Sequence, residues 1–272
     1  MGKDSRLPIK TVYYTSEEND EFSSARIEAR TIGKDYVYIN KSLAYRAVRF
    51  ILHKIIAPPI AFPFVKIFLG QRIKNRRVLR PFRKKGYFIY ANHTHPTGDA
   101  VMPSTMLFPK SVFTVVHPAN VSMPVMGKLT PYLGAIPTPS SIGGLRSFKN
   151  AIEKRILEGA AVVIYPEAHI WPYYTGIRHF AATSFSFPVD FDEPCFAMTN
   201  TYQKRRFSKK PRVVTYIDGP FYKNSELSRR EQPDELRDRI YAVMLERAGE
   251  STCEYIRYVK KNEEKGEESQ DD

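Results

Sequence analysis

The sequence predicts an α/β domain with a largely parallel sheet flanked by helices. Three observations carry that expectation. Short apolar runs of strand length recur along the body of the chain, stretches with helical spacing separate them, and turn residues bound them. The composition agrees: 42% of the 272 residues are hydrophobic and 13% aromatic, enough to build a core of the size such a sheet needs. No internal repeat of fixed period competes with that reading.

Taken in order, the first forty residues contain two aromatic, β-branched runs, at 11–15 and 36–39, expected as strands ahead of the main body. The body then alternates, with apolar runs at 86–91, 111–116, 135–138, 160–165, 195–201 and 213–217. Ser140 and Ser141 are placed to cap a helix on which Leu145, Phe148, Ile152 and Ile156 recur at spacings of three and four, with Gly159 as its stop. From Asp234, the residues Leu236, Ile240, Val243 and Met244 share one face of a closing amphipathic helix, with Gly249 as a break.

Charge is unevenly distributed. The formal net charge is +13, from 42 Lys and Arg against 29 Asp and Glu. Between Asp35 and Asp99 there is no acidic residue, whereas thirteen cations fall there, from Lys41 through Arg46, Arg49 and Lys54 to Lys84 and Lys85. The same window holds the most apolar stretch, 47–70, with Phe50, Ile51, Ile55, Ile60, Phe64 and Phe68. Arg49, His53, Lys54 and Lys66 interrupt it, and Pro58, Pro59 and Pro63 are expected to break it, which makes it a poor spanning helix. Cationic heads beside an aliphatic and aromatic face instead describe an interfacial element lying in the headgroup layer of an anionic membrane. A solvated basic rim on a buried hairpin is the plainer alternative. Nucleic acid is not expected as a partner, because no RNA- or DNA-binding pattern accompanies the charge. The last ten residues have the opposite sign and nothing apolar, and read as a disordered tail.

Two cysteines, Cys195 and Cys253, permit at most one bridge, which excludes a disulfide scaffold or a Cys-rich zinc module and favours a reducing compartment. The opening Met-Gly-Lys-Asp-Ser-Arg lacks the apolar region of a signal peptide, and Arg6 stands where myristoylation requires Ser or Thr.

Two segments carry candidate chemistry. Asn92-His93-Thr94-His95-Pro96-Thr97-Gly98-Asp99 directly follows an apolar strand, and catalytic groups in open α/β sheets gather at the carboxyl ends of strands. A carboxylate holding one imidazole nitrogen leaves the other free as a general base. A lone histidine after a strand is most often structural; the Asn before it and the Asp after it strengthen the functional reading. The second segment, Tyr165-Pro166-Glu167-Ala168-His169, again delivers an acid at a strand end. Glu167 is a candidate for binding an acceptor hydroxyl or ordering the adjacent loop, and an exposed Glu after a Pro-terminated strand is the common alternative.

Together these residues resemble the glycerolipid acyltransferase family, the lysophospholipid and 1-acylglycerol-3-phosphate acyltransferases. Asn92, His93 and Asp99 match its first box; Gly134-Ala-Ile-Pro-Thr138 matches the second loosely, Tyr165-Pro-Glu-Ala168 the third and Pro194-Cys-Phe-Ala-Met198 the fourth. The order agrees over residues 75–220. In this chain five residues rather than the family's four separate His93 from Asp99, with His95 as the alternative base. The third box lacks its final Gly and the following Thr-Arg, for which Arg178 is the substitute. Ser140 falls near the place of the second box's phosphate-holding Arg, leaving Arg146 and Lys149 as the nearest cations.

The resemblance implies a fold like that of glycerol-3-phosphate acyltransferases, with residues 1–40 as N-terminal strands, 41–75 as a basic apolar membrane-interface segment, 76–260 as the acyltransferase domain and 261–272 as the acidic tail. It implies His93 as general base, Asp99 as its orienting partner, backbone N–H groups near Gly98 as oxyanion donors, and Asn92, Glu167, Arg178, Arg146 and Lys149 in substrate binding. The implied donor is an acyl-CoA or acyl carrier protein thioester, used as substrate with no cofactor, and the acceptor a lysophospholipid or glycerol phosphate. The expected location is cytoplasmic, peripheral on the inner face of the cell membrane. Two other classes remain open on sequence: a metal-dependent hydrolase with His93, His95 and Asp99 as ligands, and a non-catalytic membrane or RNA adaptor using only the basic window.

Overall fold

The computed structural model describes residues 10–22, 27–206 and 208–261. The acidic tail lies outside them. The chain enters with a strand, β1 (Lys10–Tyr14), which pairs in parallel with the last strand, β9 (Ile256–Lys260), in a small separate sheet. The second run expected as a strand, 36–39, forms none. Its aromatic residues serve side-chain packing instead: Tyr38 stacks edge-on against Tyr36 and Phe148, and its hydroxyl donates to Pro137 O at 3.0 Å.

The main sheet has seven strands in the order β2-β8-β7-β3-β6-β4-β5. These are β2 (Arg72–Lys74), β3 (Tyr87–Ala91), β4 (Val112–Val116), β5 (Ala135–Pro137), β6 (Ala161–Ile164), β7 (Cys195–Gln203) and β8 (Arg212–Phe221). Every neighbouring pair is parallel except β7 with β8. The sheet is therefore largely parallel, as the alternating pattern predicts. Central β3 and β6 read as unbroken apolar runs because both of their faces are covered.

Side-chain alternation along β3 divides the core. Phe88 and Tyr90 point to a layer formed with α5 (Ile142–Leu157) and α7 (Gln232–Ala248), through Phe148, Ile152, Leu236, Ile240 and Met244. Tyr87, Ile89 and Ala91 face the other layer, with Met106 and Leu107 of α3 (Gly98–Leu107) and with Leu79 and Phe82. Ser141 occupies the N-cap of α5 without a side-chain cap bond, and the Ser140 hydroxyl instead accepts from Ile32 N. Gly159 ends that helix as expected, at φ +77°, and its N–H donates to Ile156 O.

The basic apolar segment differs from its expectation. It is one continuous helix of 26 residues, Leu43–Phe68, about 39 Å long at 1.5 Å per residue. The α-helical parts α1 (Leu43–Phe50) and α2 (Ala57–Pro63) alternate with π-helical turns at Ile51–Ile56 and Phe64–Phe68. Those wider turns adjoin the prolines, and local π adjustment is a known way for a helix to carry a residue that cannot donate its N–H. With a mean hydropathy of 1.5 in its most apolar window, the helix is long and apolar enough to cross a membrane by length and composition. It nevertheless rests on the domain along its length. Tyr45 stacks on Tyr132, Lys54 Nζ donates to Pro109 O at 2.6 Å, Phe62 meets Phe108, and Val65 and Leu69 pack with Met102, Tyr202 and Val213.

Close packing at the start of β3 makes Gly86 a sensitive position: a Cβ there would lie 2.2 Å from Ile156 O, a backbone atom that cannot swing away. Gly33 has no atom within 4 Å of its Cβ position. Gly86→Ala is expected to lower unfolding free energy by about 3 kcal/mol in urea titration, and Gly33→Ala to change it by no more than about 1 kcal/mol.

Candidate active site

The parallel register brings the candidate residues to one edge. His93 follows β3, Glu167 follows β6, and Asn200 lies in β7, two residues beyond the Ala91–Met198 pair. Asn92 ties these strands together: its Nδ2 donates to Asn200 O at 3.0 Å and its Oδ1 accepts from Asn200 N at 2.8 Å. Both ends of the buried amide are therefore taken by the backbone. Asn92 is thus a strand clip, whereas the resemblance implied substrate contact.

His93 and Asp99 meet. The imidazole Nδ1 lies 2.9 Å from Asp99 Oδ2, with the carboxylate buried and the ring one-quarter exposed. The turn absorbs the additional residue of the box by folding on itself: Asp99 N donates to His95 O, and Gly98 N donates to His95 Nδ1 at 2.9 Å. Gly98 is required here, since a Cβ would lie 2.8 Å from the His95 ring. The same bonds correct two expectations. The N–H groups of Gly98 and Asp99 are consumed inside the turn and are not free oxyanion donors. His95 offers Asp99 only its backbone N–H, at 2.9 Å, while its buried ring accepts from Gly98. Burial pushes the His95 imidazole below its usual range, which suits a neutral acceptor. His93 thus meets Asp99 through Nδ1 and leaves Nε2 uncommitted to it, despite the additional residue between them.

Asp99 has further partners that the sequence did not single out. Asn200 Nδ2 lies 3.4 Å from its Oδ1; Asn200 Oδ1 accepts from Thr215 Oγ1 at 2.7 Å, and Thr215 Oγ1 accepts from Gln71 Nε2 at 2.8 Å. A polar chain thus runs from β8 through β7 to the His93–Asp99 turn. The available signal was the polar triplet Thr199-Asn200-Thr201 inside an otherwise apolar strand. Tyr165, at the third box, donates from its hydroxyl to Asp99 O at 2.7 Å, and its ring centroid is 4.6 Å from that of His93.

Glu167 and Arg178 form a pair whose side chains are wholly buried, 3.1 Å apart. The Glu167 carboxylate also accepts from His93 N and Arg178 N, each at 3.2 Å. Arg178 donates to Glu17 O at 3.1 Å and to His169 O, and its guanidinium lies 4.9 Å from the Trp171 ring centre. Burial pushes the Glu167 carboxyl up, while Arg178 and the two backbone donors oppose that shift. Neither side chain faces an open site: the bonds suit the loop-ordering alternative for Glu167, and they engage Arg178 in the same task where the resemblance implied substrate contact. Lys149 is drawn to Asp190 at 2.6 Å, and Arg146 is exposed on the second turn of α5. Among the described residues, no group of three or more His, Cys, Asp or Glu converges as a metal site.

Breaking a buried pair leaves an uncompensated charge and costs about 3–5 kcal/mol. Arg178→Met and Glu167→Gln are each expected to destabilise the fold on that scale. In a double-mutant cycle by urea unfolding, the pair is expected to depart from additivity by more than about 1 kcal/mol.

Compared with known proteins, the sequence matches no family model and no curated protein. Among solved structures it is similar to the crystal structure of the 1-acyl-sn-glycerophosphate (LPA) acyltransferase PlsC from Thermotoga maritima. The TM-score is 0.55 at 14% sequence identity, over 78% of this chain and 84% of that one. The fold that the sequence boxes implied is therefore the observed fold, with the His93–Asp99 pair at the carboxyl edge of its parallel sheet.

Proposed function

We propose that the protein is an O-acyltransferase that moves a fatty acyl group from a thioester, an acyl-CoA or acyl carrier protein, to a hydroxyl of a glycerophosphate acceptor such as lysophosphatidic acid. The observation that carries this reading is the 2.9 Å contact between His93 Nδ1 and buried Asp99, at a strand end of a fold similar to that of an LPA acyltransferase. Asp99 fixes the tautomer, so that Nε2 is the unprotonated nitrogen. Nε2 takes the proton from the acceptor hydroxyl as its oxygen attacks the thioester carbonyl. The tetrahedral intermediate collapses, the carbon–sulfur bond breaks, and the imidazolium returns the proton to the departing thiolate. No acyl-enzyme is needed. Buried Cys195, whose thiol is pushed up by burial, has no part in the step.

The reading includes a peripheral membrane location. The Leu43–Phe68 helix rests one side on the domain and leaves Leu43, Phe50, Ile51, Ile55, Ile60 and Ile67 exposed on the other. A helix held along its length in this way suits lying in an interface, with the exposed row in the headgroup boundary and the surrounding cations facing anionic lipid.

Thiol release from acyl-CoA in the presence of lysophosphatidic acid tests the chemistry. His93→Ala is expected to lower the rate by about 1000-fold or more and Asp99→Asn by about 100-fold or more, while His95→Ala stays within about tenfold of the parent. Full turnover in His93→Ala together with loss in His95→Ala would assign the base to His95, and retained turnover in all three would reject the mechanism. Vesicle sedimentation tests the location: joint charge reversal at Arg76, Arg77, Arg83 and Lys84 is expected to weaken binding to anionic vesicles by about tenfold or more, with the parent's binding falling as salt rises.

A further inference from the structure

A cavity of about 900 Å³ lies between the first half of the long helix and the last turns of α5. Ser111, just ahead of β4, forms part of its wall. It is therefore at the amino edge of the sheet, opposite His93, about 25 Å away along the strands and across two of them. Three features of this cavity are independent of the catalytic edge.

The first is charge. Lys41, Arg46, Arg49 and Lys54 line it from the helix side. The one lining carboxylate, Glu158, is already taken by Lys154 at 3.1 Å and Arg155 at 2.8 Å. The second is an unsatisfied buried donor set. His53 is only 8% exposed, lines the cavity, and has no hydrogen-bond partner at either ring nitrogen; Arg49 Nε is likewise buried and unpartnered. Buried polar groups are ordinarily paired, and each exception calls for an explanation, a bound water or ion among them. Burial, then Lys54 and Arg49, push the His53 imidazole down to about 4. The ring is accordingly neutral near pH 7, able to donate from one nitrogen. The third feature is the rim. Leu43 and Phe50 border the cavity and are 78% and 60% exposed, so its mouth is continuous with the apolar row of the helix.

We propose that this cavity binds the phosphate headgroup of an anionic phospholipid, with Arg46, Arg49 and His53 as its donors and the acyl chains leaving over Leu43 and Phe50. The cations supply the charge match, and the neutral imidazole supplies a directional N–H. The exposed rim distinguishes a lipid from a soluble phosphate, because only the lipid has a chain to lay there. The site does not depend on which reaction His93 performs. It adds a specific, stoichiometric lipid contact to the diffuse attraction of the basic window.

Histidine-detected NMR on the full-length protein reads this directly, with the His53 resonance assigned from His53→Gln. Dihexanoyl phosphatidylglycerol, kept below its micelle concentration, is expected to shift the His53 signal saturably. Dihexanoyl phosphatidylcholine and inorganic phosphate are each expected to bind at least tenfold more weakly, and Arg46→Gln, at an exposed position, to raise the phosphatidylglycerol Kd about tenfold. Equal response to phosphatidylcholine would make the cavity an apolar cleft, equal response to inorganic phosphate a plain anion site, and no response at His53 an empty one; each overturns the proposal. Because these lipids are monomeric and no thiol is released, the outcome is independent of both vesicle binding and turnover.

Discussion

The ion pair between Glu167 and Arg178 is the interaction on which the candidate active-site edge depends. Removing two charges from water costs several kcal/mol for each, and that cost is met only when further hydrogen bonds complete the geometry. Here such bonds cross the fold and leave only the guanidinium Nε without a partner. The carboxylate accepts from His93 N after β3 and from Arg178 N, and the guanidinium reaches His169 O and Glu17 O. One pair thus fastens the ends of β3 and β6 and the segment after β1. Trp171 completes the fastening, with Nε1 donating to Asp20 O at 2.8 Å and its ring stacked on Tyr258 of β9. The small β1–β9 sheet is held against the catalytic edge by these contacts.

With the His93 backbone held there, the orientation of its ring falls to Asp99. That carboxylate receives the imidazole and the His95 N–H on one oxygen and approaches the Asn200 amide with the other. The antiparallel pairing of β7 with β8 matters for this. It brings Thr215 opposite Asn200, so the amide oxygen of Asn200 is occupied by a hydroxyl and its NH₂ is turned toward Asp99. The one irregular feature of the sheet's direction therefore supports the proposed chemistry.

Strand order aside, much of this fold was legible in the sequence, since apolar runs bounded by turn residues report burial on both faces and little else produces them. The His93–Asp99 contact was legible too, because both residues sit within one turn. What failed was whatever depended on distant partners. The run at 36–39 has strand composition, yet it pairs with no strand, and its tyrosines found Phe148 and Pro137. The family resemblance implied Arg178 and Asn92 as substrate ligands, but the groups that claim them, Glu17, Glu167 and Asn200, come from 11 to 161 residues away. The prolines of the long helix misled for a different reason: a rule drawn from ideal α-helices has no place for π-helical turns.

That helix also connects the proposed membrane face to the His93–Asp99 turn. Its last residues lie beside the Gly98 turn: Leu69 Cδ1 is 3.0 Å from where a Gly98 Cβ would stand, and Arg205 donates to Ile67 O and Phe68 O, fastening the helix end to the loop after β7. Val65 and Leu69 share a core cluster with Met102 of α3 and with Tyr202 of β7, whose hydroxyl is 2.9 Å from Thr94 O. A helix lying in the headgroup layer would therefore bring His93 to the level of the acceptor hydroxyl at one end, while the basic cavity holds a lipid phosphate at the other. Two contacts about a helix length apart fix the angle of a rigid body to a surface, which a single charged patch does not. Under the proposed function the basic window would contribute orientation as well as attraction, and orientation is what a one-step transfer between a membrane-bound hydroxyl and a soluble thioester requires.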